Sequence, residues 1–206
     1  ADPSFPPGNA WAPVAYEVEQ TPQGVKVVRL PSRAETFEAA VFFSGGPLLD
    51  PADRPGLTAW TVQALGLSTN SEDDRPPMER ALSLGVSLVP VYHGNLFGWA
   101  AQGPIASQMA AMELLADMVR RPAFPATEMQ ILGARERQRI EASGEEPLNA
   151  MIAVALGYSL GLNRPLWLDP AASLFDSVLR EDVVRHWRRW FRPSRAVLIV
   201  TGHIDV

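Results

Sequence analysis

The chain of 206 residues contains no cysteine. Disulfides, thiolate metal sites and cysteine nucleophiles are therefore excluded. The absence assigns no compartment, since reducing and oxidising locations both tolerate cysteine-free chains. No apolar run approaches the roughly 20 residues a spanning helix needs, so no membrane-spanning helix is expected. Positive charge is in deficit. Eighteen Lys and Arg against 23 Asp and Glu give a formal charge of −5, which argues against general nucleic-acid binding. Histidine is scarce too. His93, His186 and His203 lie far apart, and none falls in an HExxH or HxxEH pattern. They read as a turn residue, a surface helix residue and a residue near a strand end. Ser44-Gly45-Gly46 has no GxSxG nucleophile elbow, and Gly161-Leu162-Asn163 forms no phosphate-binding loop.

What is present is ordinary globular material: 47% hydrophobic and 20% charged residues. A chain of this size hides about 70% of its unfolded surface, enough for a core without staples. Charge is uneven. Residues 180–206 carry six arginines against Glu181, Asp182 and Asp205, a local +3, and residues 1–179 carry −8. Arg180-Glu181-Asp182 opens a helix and Arg185, Arg188 and Arg189 follow towards its end, an order that suits the helix dipole. Glu145-Glu146 reads as a helix-start pair facing water. Trp187, Trp190 and Phe191 beside arginines have the spacing of a buried helical stripe rather than of a base-stacking platform.

Residues 1–13 (ADPSFPPGNAWAP) read as an extended arm. They contain no charged-then-apolar leader, so no signal peptide is expected. A start at Ala1-Asp2-Pro3 fits a mature secreted chain or a fragment. The expected location is periplasmic or secreted, with the cytoplasm left open.

Val14–Glu19 and Val25–Leu30 flank Thr21-Pro22-Gln23-Gly24 and predict a hairpin. Phe37–Phe43 predicts a strand, 57–65 a helix, and 78–84 a short helix opened by Pro76-Pro77 and stopped by Gly85. Strands are expected at 86–92 and 96–102 around His93-Gly94-Asn95. Helices are expected from Gly103-Pro104 to Val119, at 125–142, at 146–158 and at 180–191, and a buried strand at 196–201. Two hairpins separated by helices imply an α+β fold, with one mostly antiparallel sheet and helices packed on a face. No linker interrupts the chain, so one domain over 1–206 is expected. Composition and spacing stop at that point, with no active site in view.

Four runs carry a resemblance. They are QGVKVVRLPSRAETFEAAVFFSGGPLLDPADRPGLTAW, MERALSLGVSLVP, LLADMVRRPAFPATEM and LREDVVRHWRRWFRPSRAVLIVTGHID. Together, over Gly24 to Asp205, they resemble the N-terminal-type domain of M16 peptidases, the insulinase and mitochondrial-processing-peptidase group. The resemblance implies the LuxS and processing-peptidase type of metallohydrolase fold. In active members the helix after Gly-Leu carries HxxEH. Its histidines, four apart, lie about 40° apart around the helix and bind zinc, with the glutamate as general base. A glutamate on a later helix is the third ligand.

On this chain the resemblance places Ala59 at the first histidine, Val62 at the glutamate and Gln63 at the second histidine. Ala and Val have no lone pair to give, and a neutral amide oxygen is a poor zinc donor. The third ligand falls near Gln138 or Arg139, with Glu136 and Glu141 close by. The resemblance therefore implies a domain with no catalytic residue, metal or cofactor. It would wall a peptide chamber beside a partner domain or subunit carrying HxxEH. Two other readings stay open: an assembly module without a protease role, and a hydrolase with another site around His93.

Overall fold

The computed structural model describes residues 15–93, 95–143, 147–162 and 174–202. The arm at 1–13, Glu145-Glu146, Asn163 and His203 lie outside the described residues. Six strands, β1 (Glu17–Gln20), β2 (Lys26–Pro31), β3 (Thr36–Ser44), β4 (Ser87–His93), β5 (Leu96–Pro104) and β6 (Ala196–Gly202), form one sheet in the order β1-β2-β6-β3-β5-β4. Helices α1 (Leu57–Leu65) and α2 (Pro77–Ser83) follow β3. Helices α3 (Gln108–Arg120), α4 (Ala126–Ser143), α5 (Pro147–Ser159), α6 (Leu174–Ser177) and α7 (Arg180–Trp190) separate β5 from β6. The α+β class expected above is the one observed.

Both expected hairpins form, with Glu19 opposite Val27 and Val91 opposite Gly98. All neighbouring strands are antiparallel except β2 and β6. That pair is parallel because the chain crosses all the helices before β6 returns between β2 and β3. One expected element needs correction. Gly103-Pro104 does not start a helix. β5 runs on to Pro104 opposite Thr36, Ile105 N donates to Glu35 O at 2.9 Å, and a short 3-10 turn intervenes before α3. Strand pairing thus overrides the helix-start signal of the proline. The short α6 was not expected at all.

The alternation of β3 decides where the core sits. Phe37, Ala39 and Phe43 are buried on one face, level with Phe97, Trp99 and Ala101 of β5 and Ala196 and Val200 of β6. α1 and α3 pack over this face. Phe43, Phe97 and Phe191 form a ring cluster with centroid distances of 4.9 to 5.9 Å, which ties the end of α7 to the sheet. Trp187 donates its indole N–H to Val119 O, and Trp190 lies between Arg189 and Arg195. The 187/190/191 stripe is therefore packing, as expected.

Candidate functional site

α1 begins where Gly56 turns the chain at φ +89°, a conformation easy only for glycine. The first backbone N–H groups of a helix have no partner within it. Here a distant carboxylate serves them: Asp50 Oδ2 accepts from Gly56 N and Oδ1 from Thr58 N, both at 2.7 Å. Every residue of α1 except Gln63 is buried. Such burial is worth roughly 1.5–3 kcal/mol for each large aliphatic side chain.

The three positions singled out above therefore sit inside packed protein. Ala59 and Val62 are buried and Gln63 is half-buried. The strands hold this stretch by its backbone. Tyr92 Oη donates to Ala59 O at 2.9 Å, and Trp99 Nε1 donates to Val62 O at 2.8 Å. The Trp99 ring crosses the end of α1 so closely that a Cβ on Gly66 would lie 2.7 Å from it. On α4, Gln138 and Arg139 are exposed. Glu136 pairs with Arg139 and Glu141 with Arg137, the latter at 2.8 Å. Among the described residues, no three His, Asp or Glu side chains come together. A catalytic zinc needs three protein donors. Ala59 and Val62 provide none and Gln63 one neutral amide, so these residues do not fit the ion.

Sequence reasoning missed the polar cluster that is present. Thr58 Oγ1 lies 2.6 Å from Asp50 Oδ1 and 2.9 Å from His186 Nε2. All three residues are buried, so His186 is not the surface residue expected. It turns inward because Val183 and His186, three apart on α7, share the side facing α1. A carboxylate only accepts, so the Thr58 hydroxyl donates to Asp50 and His186 donates to Thr58 through Nε2–H. Asp, Thr and His thus stand in the wrong order for nucleophilic catalysis. The hydroxyl separates the acid from the imidazole, and all three groups are shut away from substrate.

A second polar tie lies beside it. Arg54 pairs with the buried Asp182, which also accepts from Leu179 N at 3.1 Å and from Arg185. Burial raises the Asp182 carboxyl, but the Arg54 hydrogen bond and the Leu179 N–H outweigh it and leave it below the ordinary carboxylate range. The two ties join the entry of α1 to α7. A capping search stops three residues from a helix start, which is why Asp50 escaped it.

Burial, and then the nearby Arg189, push His186 down to about 4. The folded state therefore holds this imidazole neutral, while the unfolded chain protonates it near 6.5. The unfolded state binds more protons between these values, so stability is full above pH 6.5 and falls as the pH drops towards 4. The loss amounts to roughly 3 kcal/mol. Urea midpoints across this window will fall for the wild type, and the slope will flatten in His186→Gln. An unchanged slope in the variant rejects the assignment.

Of the other singled-out residues, His93 is the last residue of β4, opposite Leu96, rather than a turn residue. Ser44 ends β3, exposed. Gly161 takes φ +69° just after α5. No functional grouping forms around Ser44 or Gly161 among the described residues.

No protein-family profile and no curated protein sequence matches this chain. Solved structures do. It is similar to the inactive domain of an M16 peptidase from Pseudomonas fluorescens, with a TM-score of 0.78 at 16% identity, over 93% of this chain and 47% of that one. A protease from Helicobacter pylori gives 0.78 at 15%, over 93% and 47%. The periplasmic protease PqqL from Escherichia coli gives 0.78 at 14%, over 92% of this chain and 22% of that one. This chain thus spans about half the length, or less, of the structures it matches. Its fold is that of an M16 peptidase domain, of the kind solved as an inactive domain in one of these neighbours.

Proposed function

We infer that this chain is one M16-type domain that has lost the HxxEH zinc motif and acts as a non-catalytic wall of a peptide chamber. The partner domain or subunit carries HxxEH, and the assembly is periplasmic or secreted. The observation that carries this reading is α1. The helix packs on the sheet behind a Gly-Leu entry, while Ala59, Val62 and Gln63 stand at the ligand positions of the resemblance. The neighbours support it, being longer structures that include an inactive M16 peptidase domain and a periplasmic protease. Among the described residues no helix is long and apolar enough to cross a membrane.

The route for a peptide is edge strand β4. An extended chain adds to such an edge by main-chain hydrogen bonds, with neighbouring pockets reading its side chains. An open groove of about 590 Å³ beside β4, lined by Met78, Leu82, Val86 and Leu88 with Glu79 and Ser87, offers an apolar side-chain site. The −8 of residues 1–179 favours basic peptides through the chamber field.

One residue favours the second reading, an assembly module without a protease role. Pro90 lies in the middle of β4, opposite Trp99, and has no N–H to give. Pairing continues on both sides of it, so the proline takes a place where the missing donor faces the free edge. An added strand loses one central hydrogen bond there, about 1 kcal/mol.

The deciding measurement is zinc content together with peptide cleavage by the purified chain. We expect sub-stoichiometric zinc and no cleavage sensitive to chelators. Stoichiometric zinc with cleavage that chelation abolishes would overturn the reading. Any cleavage abolished by His93→Ala would instead favour a hydrolase of a different kind.

A further inference from the structure

α7 ends in a group of cations that the protein leaves unmatched. Arg188, Arg189, Arg192 and Arg195 surround the turn that joins α7 to β6. The first three are exposed and Arg195 is half-buried. Many arginines elsewhere meet acids: Arg29 pairs with Glu19, Arg75 with Asp73, Arg80 with Asp117 and Arg139 with Glu136. Among the described residues, none of the four at this turn pairs with a carboxylate. The helix dipole accounts for only part of the group. A helix C-terminus carries roughly half a negative charge, against four positive ones here. Arg192 Nε serves one last-turn carbonyl, Arg188 O, at 3.3 Å. Glu181 and Asp182 lie about 10 Å back along the helix from Arg188 and Arg189, roughly a Debye length. Asp182 is in any case already held by Arg54 and Arg185.

The group is also held in place. Arg189 and Arg195 both lie over the ring of Trp190, 4.8 and 4.6 Å from its centroid. Such contacts fix where a guanidinium sits without using an oxygen acceptor, so its N–H fork stays available. Two like charges gathered on one ring repel each other, and an anion beside both relieves that repulsion.

We propose that this turn is a docking surface for a short acidic segment of another protein. Its Asp and Glu carboxylates engage the forks of Arg189 and Arg195, and Arg188 and Arg192 add to the attracting field. A guanidinium fork matches a carboxylate with two parallel hydrogen bonds. The charge of the remainder selects a short segment over a broad polyanion. Residues 180–206 carry +3, and residues 1–179 carry −8. A nucleic acid or an anionic membrane extends beyond so small a cationic corner and meets the acidic remainder, which repels it. A short acidic segment stays within the corner.

Fluorescence anisotropy with the intact chain and a labelled oligoglutamate peptide tests this. The peptide is expected to bind at low salt and to be released towards about 1 M salt, where the screening length falls to about 3 Å. Oligoglutamine of the same length is expected not to bind. Arg189→Glu with Arg195→Glu is expected to weaken binding about tenfold or more. Arg189→Lys with Arg195→Lys is expected to weaken it about threefold, since an ammonium keeps the charge but not the fork. Arg137→Glu with Arg139→Glu on α4 changes the net charge equally and is expected to leave the affinity within about twofold. Failure of oligoglutamate to bind overturns the proposal. So does an equal loss from the α4 pair, or a lysine variant as tight as the wild type. Tighter binding of a single-stranded oligonucleotide or of phosphatidylglycerol vesicles than of the peptide overturns it too. If the glutamate variant of the turn fails to fold by far-UV circular dichroism, Arg189→Gln with Arg195→Gln decides in its place, and unchanged affinity there rejects the site. Zinc content and cleavage do not bear on these outcomes, so the inference stands apart from the peptidase-like reading.

Discussion

Val62→Glu, which restores the carboxylate that the resemblance expects on α1, is expected to cost the domain 4 kcal/mol or more (~4–5) rather than to move it towards catalysis. Val62 is fully buried between α1 and the sheet, and Trp99 Nε1 already occupies its carbonyl. Val62 belongs to the apolar core cluster, and a carboxylate buried among apolar side chains takes up a proton instead. Comparing Val62→Glu with Val62→Gln isolates the charge. The folded state raises the carboxyl above the roughly 4.3 of the unfolded chain, so the gap between the variants widens as the pH rises through 4.3. The shared His186 dependence cancels in that comparison. Urea unfolding of both variants at several pH values measures it. If Val62→Glu is as stable as Val62→Gln at neutral pH, α1 still offers a site able to hold charge, and the non-catalytic reading weakens.

A comparable loss is expected for Gly98→Ala. Gly98 lies in β5 between Phe42 of β3 and Val91 of the edge strand β4. A Cβ built there falls 1.8 Å from Val41 O and 3.2 Å from the Phe42 Cα. Both are backbone atoms that cannot turn aside, so strands β3 and β5 must separate. The expected cost is about 3 kcal/mol or more, beyond the usual range of a small-to-large core change. Gly133→Ala is the control. Its Cβ would meet Phe175 Cδ1 at 3.4 Å, an ordinary contact, and alanine is the better helix former by up to ~1 kcal/mol. Thermal melts should fall steeply for the first variant and hold or rise for the second. Equal melts would mean that the close approach of β3 and β5 is not as tight as described.

On the proposed reading, the entry of α1 is maintained without the chemistry that the M16 resemblance implies for active members. Asp50, Thr58, His186, Arg54 and Asp182 hold this helix end with buried polar contacts, and breaking a buried pair typically costs 3–5 kcal/mol. A rigid α1 positions β4 through Tyr92 and thereby the groove beside it. On the reading proposed above, this is how a domain without ligands would contribute a defined wall.

The sequence by itself determined the elements whose signals are local. The turn at 21–24, the Gly-Leu entry to α1, the Pro76-Pro77 start of α2 and the alternation of β3 all depend on neighbours a few residues away, so each was legible. It also determined that positions 59, 62 and 63 offer almost no metal donors, because side-chain chemistry is independent of fold. Tertiary structure alone decided the rest. β6 pairs in parallel with β2 across some 170 residues of chain. His186 is buried because α7 turns that side to α1, and Asp50 reaches over six and eight residues to cap Gly56 and Thr58. Each of these is a contact between residues remote in sequence, and a one-dimensional pattern carries no record of which surfaces meet.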